Sequence, residues 1–264
     1  MSVSLARALH GRRVFGRAGF VPFLVAGDPS YEGSLRAALA VITAGADILE
    51  VGVPFSDPVA DGPVIQAAGQ RALVKGMTLT KAARFVEDLR SGGVTIPIVL
   101  FTYLNPVLAL GMEKFARLCG CSGVSAALIV DLPAEESVAA TDALARYGIE
   151  LILLASPTTT DARLRMIGRL TGSVVYYVSR EGVTGVRKGL SRNLAQRIMH
   201  VRKLTRKPLL VGFGVAEPSQ AKVLAAYADG VVVGSALVKA GAEGGSAAVG
   251  RLARRLVRAL ETTC

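Results

Sequence analysis

The chain has 264 residues, 51% of them hydrophobic, and carries 31 lysines and arginines against 20 aspartates and glutamates, a formal charge of +11. That composition buries a large core and argues against a disordered protein, while the absence of an apolar run of about 18 residues argues against a membrane span. Two histidines and an odd set of three cysteines, Cys119, Cys121 and Cys264, argue against a histidine-rich metal site and against a disulfide framework.

Leu5–Leu9 reads as an extra helix at the start. Met1–Val14 is basic but lacks the apolar stretch of a secretory signal, so a cytoplasmic location with reduced thiols is expected. From there, short β-branched runs alternate with helical patterns. The strand Phe20–Val25 precedes the helix Ser34–Thr43, and Ile48–Val51 precedes Thr80–Arg90. Ile98–Thr102 leads to Glu113–Cys119, Ala127–Val130 to Glu135–Tyr147, and Leu151–Leu154 to Asp161–Leu170. Val174–Val178 leads to Leu194–Lys203, Leu209–Gly212 to Pro218–Tyr227, and Val231–Val233 to Ala247–Leu260. Thr80 and Asp161 supply capping or first-turn chemistry, and Pro218 suits a first helical turn.

Eight such units, with nearly continuous apolar strands and no linker, predict an α/β fold with a parallel sheet covered by helices. A single closed (β/α)8 TIM barrel spanning residues 1–264 is the economical form, because closure leaves no edge strand. An open doubly wound sheet is the competitor, but no G-x-G-x-x-G opens a helix and no P-loop lysine motif occurs. The basic residues are spread over the predicted helices, as in Arg251, Arg254, Arg255 and Arg258 beside the stripe Leu252, Leu256 and Leu260. That predicts a solvated helix face. A nucleic-acid partner would need a motif or interleaved aromatics, and the chain has neither, nor any tryptophan. The positive field suits an anionic substrate.

In such a barrel the chemistry sits at the C-terminal ends of the strands. Glu50 ends the second strand and is followed by a proline- and glycine-rich stretch, read as loop through Gln66, that carries Asp57 and Asp61. General acid–base work needs two groups of different proton affinity in one site. An apolar setting beside Leu49 and Val51 would keep Glu50 protonated, and Asp61 on its loop would stay ionised. The other reading has Glu50 paired with a base and Asp61 capping a turn. Asp57 reads as structural or as a surface contact, and Asp131 as a turn cap or a site residue. Gly212-Phe213-Gly214 and Gly234-Ser235-Ala236, with Gly185, suit phosphate binding by backbone N–H groups and a helix N-terminus, or are ordinary tight turns. Phe23, Phe101, Leu128, Leu154, Tyr176 and Phe213 lie at or near strand ends, where they form upper-layer core or the lining for a flat aromatic ligand. No lysine ends a strand and no His/Cys/carboxylate cluster occurs, which disfavours Schiff-base and metal-dependent aldolases.

The run Leu49-Glu50-Val51-Gly52-Val53-Pro54-Phe55-Ser56-Asp57-Pro58-Val59-Ala60-Asp61-Gly62-Pro63 closely resembles the tryptophan synthase α-subunit family. Val21-Pro22-Phe23, Ala26-Gly27-Asp28-Pro29, Asp131-Leu132-Pro133, Ser179-Arg180-Glu181-Gly182-Val183-Thr184-Gly185, Gly212-Phe213-Gly214 and Gly234-Ser235-Ala236 extend the resemblance over essentially the whole chain. It implies a βα barrel that cleaves indole-3-glycerol phosphate to indole and glyceraldehyde 3-phosphate. It implies Glu50 as acid/base, Asp61 holding the indole N–H, and phosphate on Gly185, Gly214, Gly234 and Ser235. Phe23, Phe101, Leu128, Leu154, Tyr176, Thr184 and Phe213 match the indole pocket, with Thr184 expected to hydrogen-bond Asp61. Phe101 stands where an aliphatic residue is common. The resemblance implies no cofactor in this chain, and a pyridoxal-phosphate β subunit as partner in an α2β2 complex. The contact regions would be Pro54, Asp57 and Pro58, with Asn105 and Pro106. The high positive charge, and Arg187 and Lys188 after Gly185, depart from what the family suggests. A stand-alone indole-releasing lyase, a barrel acting mainly as an activator of the β subunit, and a phosphosugar isomerase are the competing readings.

Overall fold

A computed structural model describes residues 4–14, 16–178, 192–212 and 215–261. The strands are β1 (Gly19–Val25), β2 (Leu49–Gly52), β3 (Ile98–Thr102), β4 (Ala126–Ile129), β5 (Glu150–Ala155), β6 (Val175–Val178), β7 (Leu209–Gly212) and β8 (Gly230–Val233). They pair in parallel in chain order, and β8 returns to β1 to close the barrel. Closure rules out the open doubly wound sheet. The helices are α1 (Leu5–Val14), α2 (Tyr31–Thr43), α3 (Pro63–Val74), α4 (Leu79–Ser91), α5 (Leu104–Leu110) and α6 (Met112–Ser122). They continue as α7 (Val138–Ala145), α8 (Asp161–Leu170), α9 (Arg192–Thr205), α10 (Pro218–Ala225) and α11 (Ser235–Leu260). Among the described residues no helix is long and apolar enough to cross a membrane.

Several elements differ from their sequence expectation. The loop expected through Gln66 ends at Gly62, because Pro63 opens α3 from its first turn, where the missing N–H costs nothing. The helix expected over 135–147 is a 3-10 turn, Ala134–Glu136, followed by α7. The cap of α4 is Thr78, whose side chain accepts from Lys81 N at 3.2 Å; Thr80 lies inside the helix. The closing helix begins at Ser235 and is broken at Gly244 and Gly245, the latter at φ +61°, so Ser235–Leu260 is two helical segments.

The two barrel ends are built differently. At the N-terminal end Leu9 of α1 plugs the opening: a Cβ on Gly19 would sit 2.6 Å from its side chain, and one on Gly230 3.0 Å. Buried carboxylates clamp backbone there. Asp47 accepts from Phe20 N at 2.8 Å and pairs with Arg17, and Asp229 accepts from Leu209 N at 2.8 Å and pairs with Arg202. Arg90 donates to three carbonyls, those of Gly123, Val94 and Ile96. The opposite end holds acids, aromatic rings and glycines.

Candidate active site

β2 carries Glu50 into the barrel, in register with Phe23 on β1 and Val99 on β3. Glu50 is 0% exposed, and among the described residues neither carboxyl oxygen has a hydrogen-bond partner. Among the described residues, the alternative pairing with a basic residue is therefore absent. A charge there would be unsolvated and unpaired, so burial raises its pKa to about 8. A neutral acid at physiological pH is the result.

Asp61 arrives on the loop that leaves β2. The loop is folded by short backbone bonds, Val59 N to Asp57 O at 2.9 Å and Asp61 N to Pro58 O at 3.0 Å. Tyr103, at the end of β3, donates its hydroxyl to Asp61 Oδ2 at 3.0 Å and accepts from Ala60 N at 3.1 Å. Its ring packs on Phe55 with centroids 5.0 Å apart. Partial burial raises the Asp61 pKa and the Tyr103 hydrogen bond opposes that rise. The two acids thus sit in opposite settings, one dry and unpartnered, the other held by a donor. Tyr103 is missing from the residues that sequence reasoning singled out, because nothing in a sequence shows where a phenol's hydroxyl goes.

The aromatic wall rests on missing side chains. Phe23 and Phe101 meet edge to face, 5.2 Å apart. A Cβ on Gly52 would lie 2.4 Å from the Phe23 ring, one on Gly234 3.3 Å from it, and one on Gly212 2.9 Å from the Tyr176 hydroxyl. Burial, and then the negative charges of Glu50 and Asp61, raise the Tyr176 pKa far above that of a free phenol, so this hydroxyl stays protonated. Leu128 is fully buried, in register with Phe101, and Leu154 is half-buried, in register with Tyr176. Asp61, Phe23, Phe55, Phe101 and Ile65 border a narrow cleft that is open to solvent.

Gly234 precedes the first turn of α11, which begins at Ser235. The first N–H groups of a helix have no intrahelical acceptor, so this end suits an anion. It stands directly over Phe23. Of the other expected residues, Thr184, Gly185, Phe213 and Gly214 lie outside the described residues. On the outer rim Asp57 and Asn105 are exposed, Pro58 and Pro106 are half-buried, and Pro54 is buried in the cleft wall. Val59 and Leu108 are exposed beside them, at 85% and 59%. Asp131 is a cap: its Oδ1 accepts from Leu104 N, at the start of α5, at 2.7 Å.

A family described as "Tryptophan synthase alpha chain" matches residues 11–261. A tryptophan synthase alpha chain from Phenylobacterium zucineum is 49% identical over 228 residues, 86% of this chain and 82% of that one. Among solved structures, Mycobacterium tuberculosis tryptophan synthase matches with a TM-score of 0.91 at 33% identity, covering 100% of both chains. Tryptophan synthase subunit alpha from Legionella pneumophila matches at 0.90 and 31% identity, over 97% of this chain and 98% of that one.

Proposed function

The chain belongs to the tryptophan synthase alpha chain family, and from that premise we propose how its own residues divide the family's reaction. The reaction is the cleavage of indole-3-glycerol phosphate to indole and glyceraldehyde 3-phosphate, a carbon–carbon lyase step in tryptophan biosynthesis. Breaking the bond between ring carbon C3 and the glycerol chain requires a proton on C3 and the loss of one from the adjacent hydroxyl. Glu50, protonated at neutral pH, gives its proton to C3. The ring becomes an indolenine with positive charge at its nitrogen. Asp61, held ionised by Tyr103, accepts the ring N–H and offsets that charge, an interaction stronger in the transition state than in the substrate. The Glu50 carboxylate then takes the hydroxyl proton, the C–C bond breaks to leave the aldehyde, and its electron pair restores the aromatic ring. One side chain thus moves both protons and ends in its starting form.

The flat ring lies against Phe23, Phe101, Leu128, Leu154 and Tyr176, with Thr184 and Phe213 completing the pocket. The phosphate lies on the α11 N-terminus at Gly234 and Ser235, with Gly185 and Gly214. Residues 1–264 act as one barrel domain in the cytoplasm. The partner is a β subunit in an α2β2 complex, met by the rim with Pro54, Asp57, Pro58, Asn105 and Pro106; pyridoxal phosphate belongs to that subunit and this chain uses no cofactor. Exposed Val59 and Leu108 on the same rim support that surface.

The observation that carries the mechanism is the fully buried Glu50, unpartnered among the described residues and in register with Phe23 of the cleft wall. Glu50→Gln is expected to reduce indole release by about 10²- to 10⁴-fold while glycerol 3-phosphate still binds. Full turnover in that variant would remove Glu50 from the mechanism. Indole release by the isolated chain, measured beside its stimulation of a β subunit, separates the lyase from a barrel kept only as an activator.

A further inference from the structure

We infer that the cavity behind the first segment of α11 is a second small-molecule site, for an organic monoanion with a ring-sized apolar body. The inference that this site communicates with the active site rests on the phosphate reading above. The cavity lies between α2 and α11, outside the barrel wall, and measures about 220 Å³. A dry apolar cavity of about 150 Å³ already holds benzene, so there is room for a ring and a short polar arm.

Its walls are Leu24, Ala37, Leu237, Val238 and Val249, all buried. Its polar groups are nearly all committed elsewhere. Asp28 is held bidentately by Arg71, at 2.7 and 2.9 Å. Ser30 caps Gly33 N, and Ser34 bonds Gly27 N and the Tyr31 carbonyl. Arg36 at the rim is exposed and, among the described residues, has neither an ion pair nor a hydrogen bond. The site therefore offers an apolar floor and one uncommitted guanidinium, which selects a carboxylate over a neutral or cationic ligand.

Two features connect the cavity to the active site. Leu237, Val238 and Gly241 belong to the short segment of α11 whose N-terminus, at Gly234 and Ser235, is the proposed phosphate cradle. The break at Gly244 and Gly245 separates that segment from the rest of α11. Val25 also borders both the cavity and the active-site cleft. A ligand wedged between α2 and this segment changes the position of the cradle, and by reciprocity a phosphate ligand changes the affinity of the cavity.

Calorimetric titration of the full chain with phenylacetate tests this. Binding is expected to persist at saturating glycerol 3-phosphate, and each ligand is expected to change the other's Kd by about fivefold or more. Ser246→Leu at the mouth and Val249→Phe in the wall fill the space and are expected to abolish phenylacetate binding while glycerol 3-phosphate still binds. Arg36→Ala is expected to weaken phenylacetate about tenfold. Ser246→Leu lies at a half-exposed position, so it remains a test should Val249→Phe fail to fold. Phenylacetate that fails to bind, survives both filling variants, or is displaced competitively by glycerol 3-phosphate overturns the site. Cavity binding with no effect on glycerol 3-phosphate overturns the coupling. Failure of glycerol 3-phosphate to bind at all, with phenylacetate still lost in Ser246→Leu, instead overturns the phosphate reading and leaves the cavity.

Discussion

Glu50 and Asp61 titrate in opposite functional senses although both pKa values are raised. Glu50 works while protonated, so kcat/KM is expected to fall as pH rises through about 8. Asp61 works while ionised, so the rate falls again at low pH, on a limb that burial raises from the ordinary aspartate value. Tyr103→Phe removes the donor that opposes that rise, and the acidic limb is expected to move to higher pH. The lost charge-assisted bond is worth about tenfold or more in kcat/KM; an unchanged acidic limb would show that Tyr103 only fills space. Stability carries a second signature of Glu50. Its folded pKa stands above the ordinary glutamate value of 4.5, so its contribution is complete below that pH and is lost as pH rises to about 8. Urea unfolding across that window is expected to show the native chain losing, relative to Glu50→Gln, on the order of a few kcal/mol. At this scale the acids were legible from position and neighbours. The donor of Tyr103 and the capping bond of Asp131 were not, since both join residues far apart in the chain.

Strands were legible nearly to the residue, because a strand buried on both faces is a continuous apolar run. The helices α3 and α5, which interrupt the loops after β2 and β3, were not, although α10 was found with Pro218 in its first turn. α3 opens on Pro63 and was read as loop as far as Gln66, and α5, which contains Pro106, was not expected, because proline is a breaker everywhere except the first turn. The first segment of α11 was missed for another reason: its glycines at 241, 244 and 245 hide the helical period. The glycines that end β2 and β7 have a definite purpose that spacing alone does not reveal, for Gly52 leaves room for the Phe23 ring and Gly212 for that of Tyr176. Gly52→Ala would drive a Cβ to within 2.4 Å of Phe23. Overpacking of that kind costs about 1–3 kcal/mol. Because Phe23 must swing toward the cleft, KM for the indole substrate is expected to rise several-fold as the urea midpoint falls. A normal KM with reduced stability would place the ring's displacement away from the substrate.

Over the whole molecule, the formal charge of +11 gives association with a phosphate ester a long-range component. Raising ionic strength from about 0.02 to 0.3 M shortens the screening length to under 10 Å, and kcat/KM is expected to fall several-fold with kcat unchanged. A salt-independent kcat/KM would leave the charge as a property of the surface alone. The closed barrel itself was legible from the alternation of elements, and its polarity followed from the rule that places chemistry at strand C-termini; the clamps at the other end were not, since Asp47, Asp229 and Arg90 look in sequence like any surface charge. Ring closure joins β1, made early, to β8, made nearly last, and the same join completes the socket for Leu9. A ribosome therefore releases most of this chain before its first strand has a second neighbour. Nascent chains shortened before Gly230 are expected to leave β1 as an unprotected edge, open to proteases and to the strands of other nascent copies.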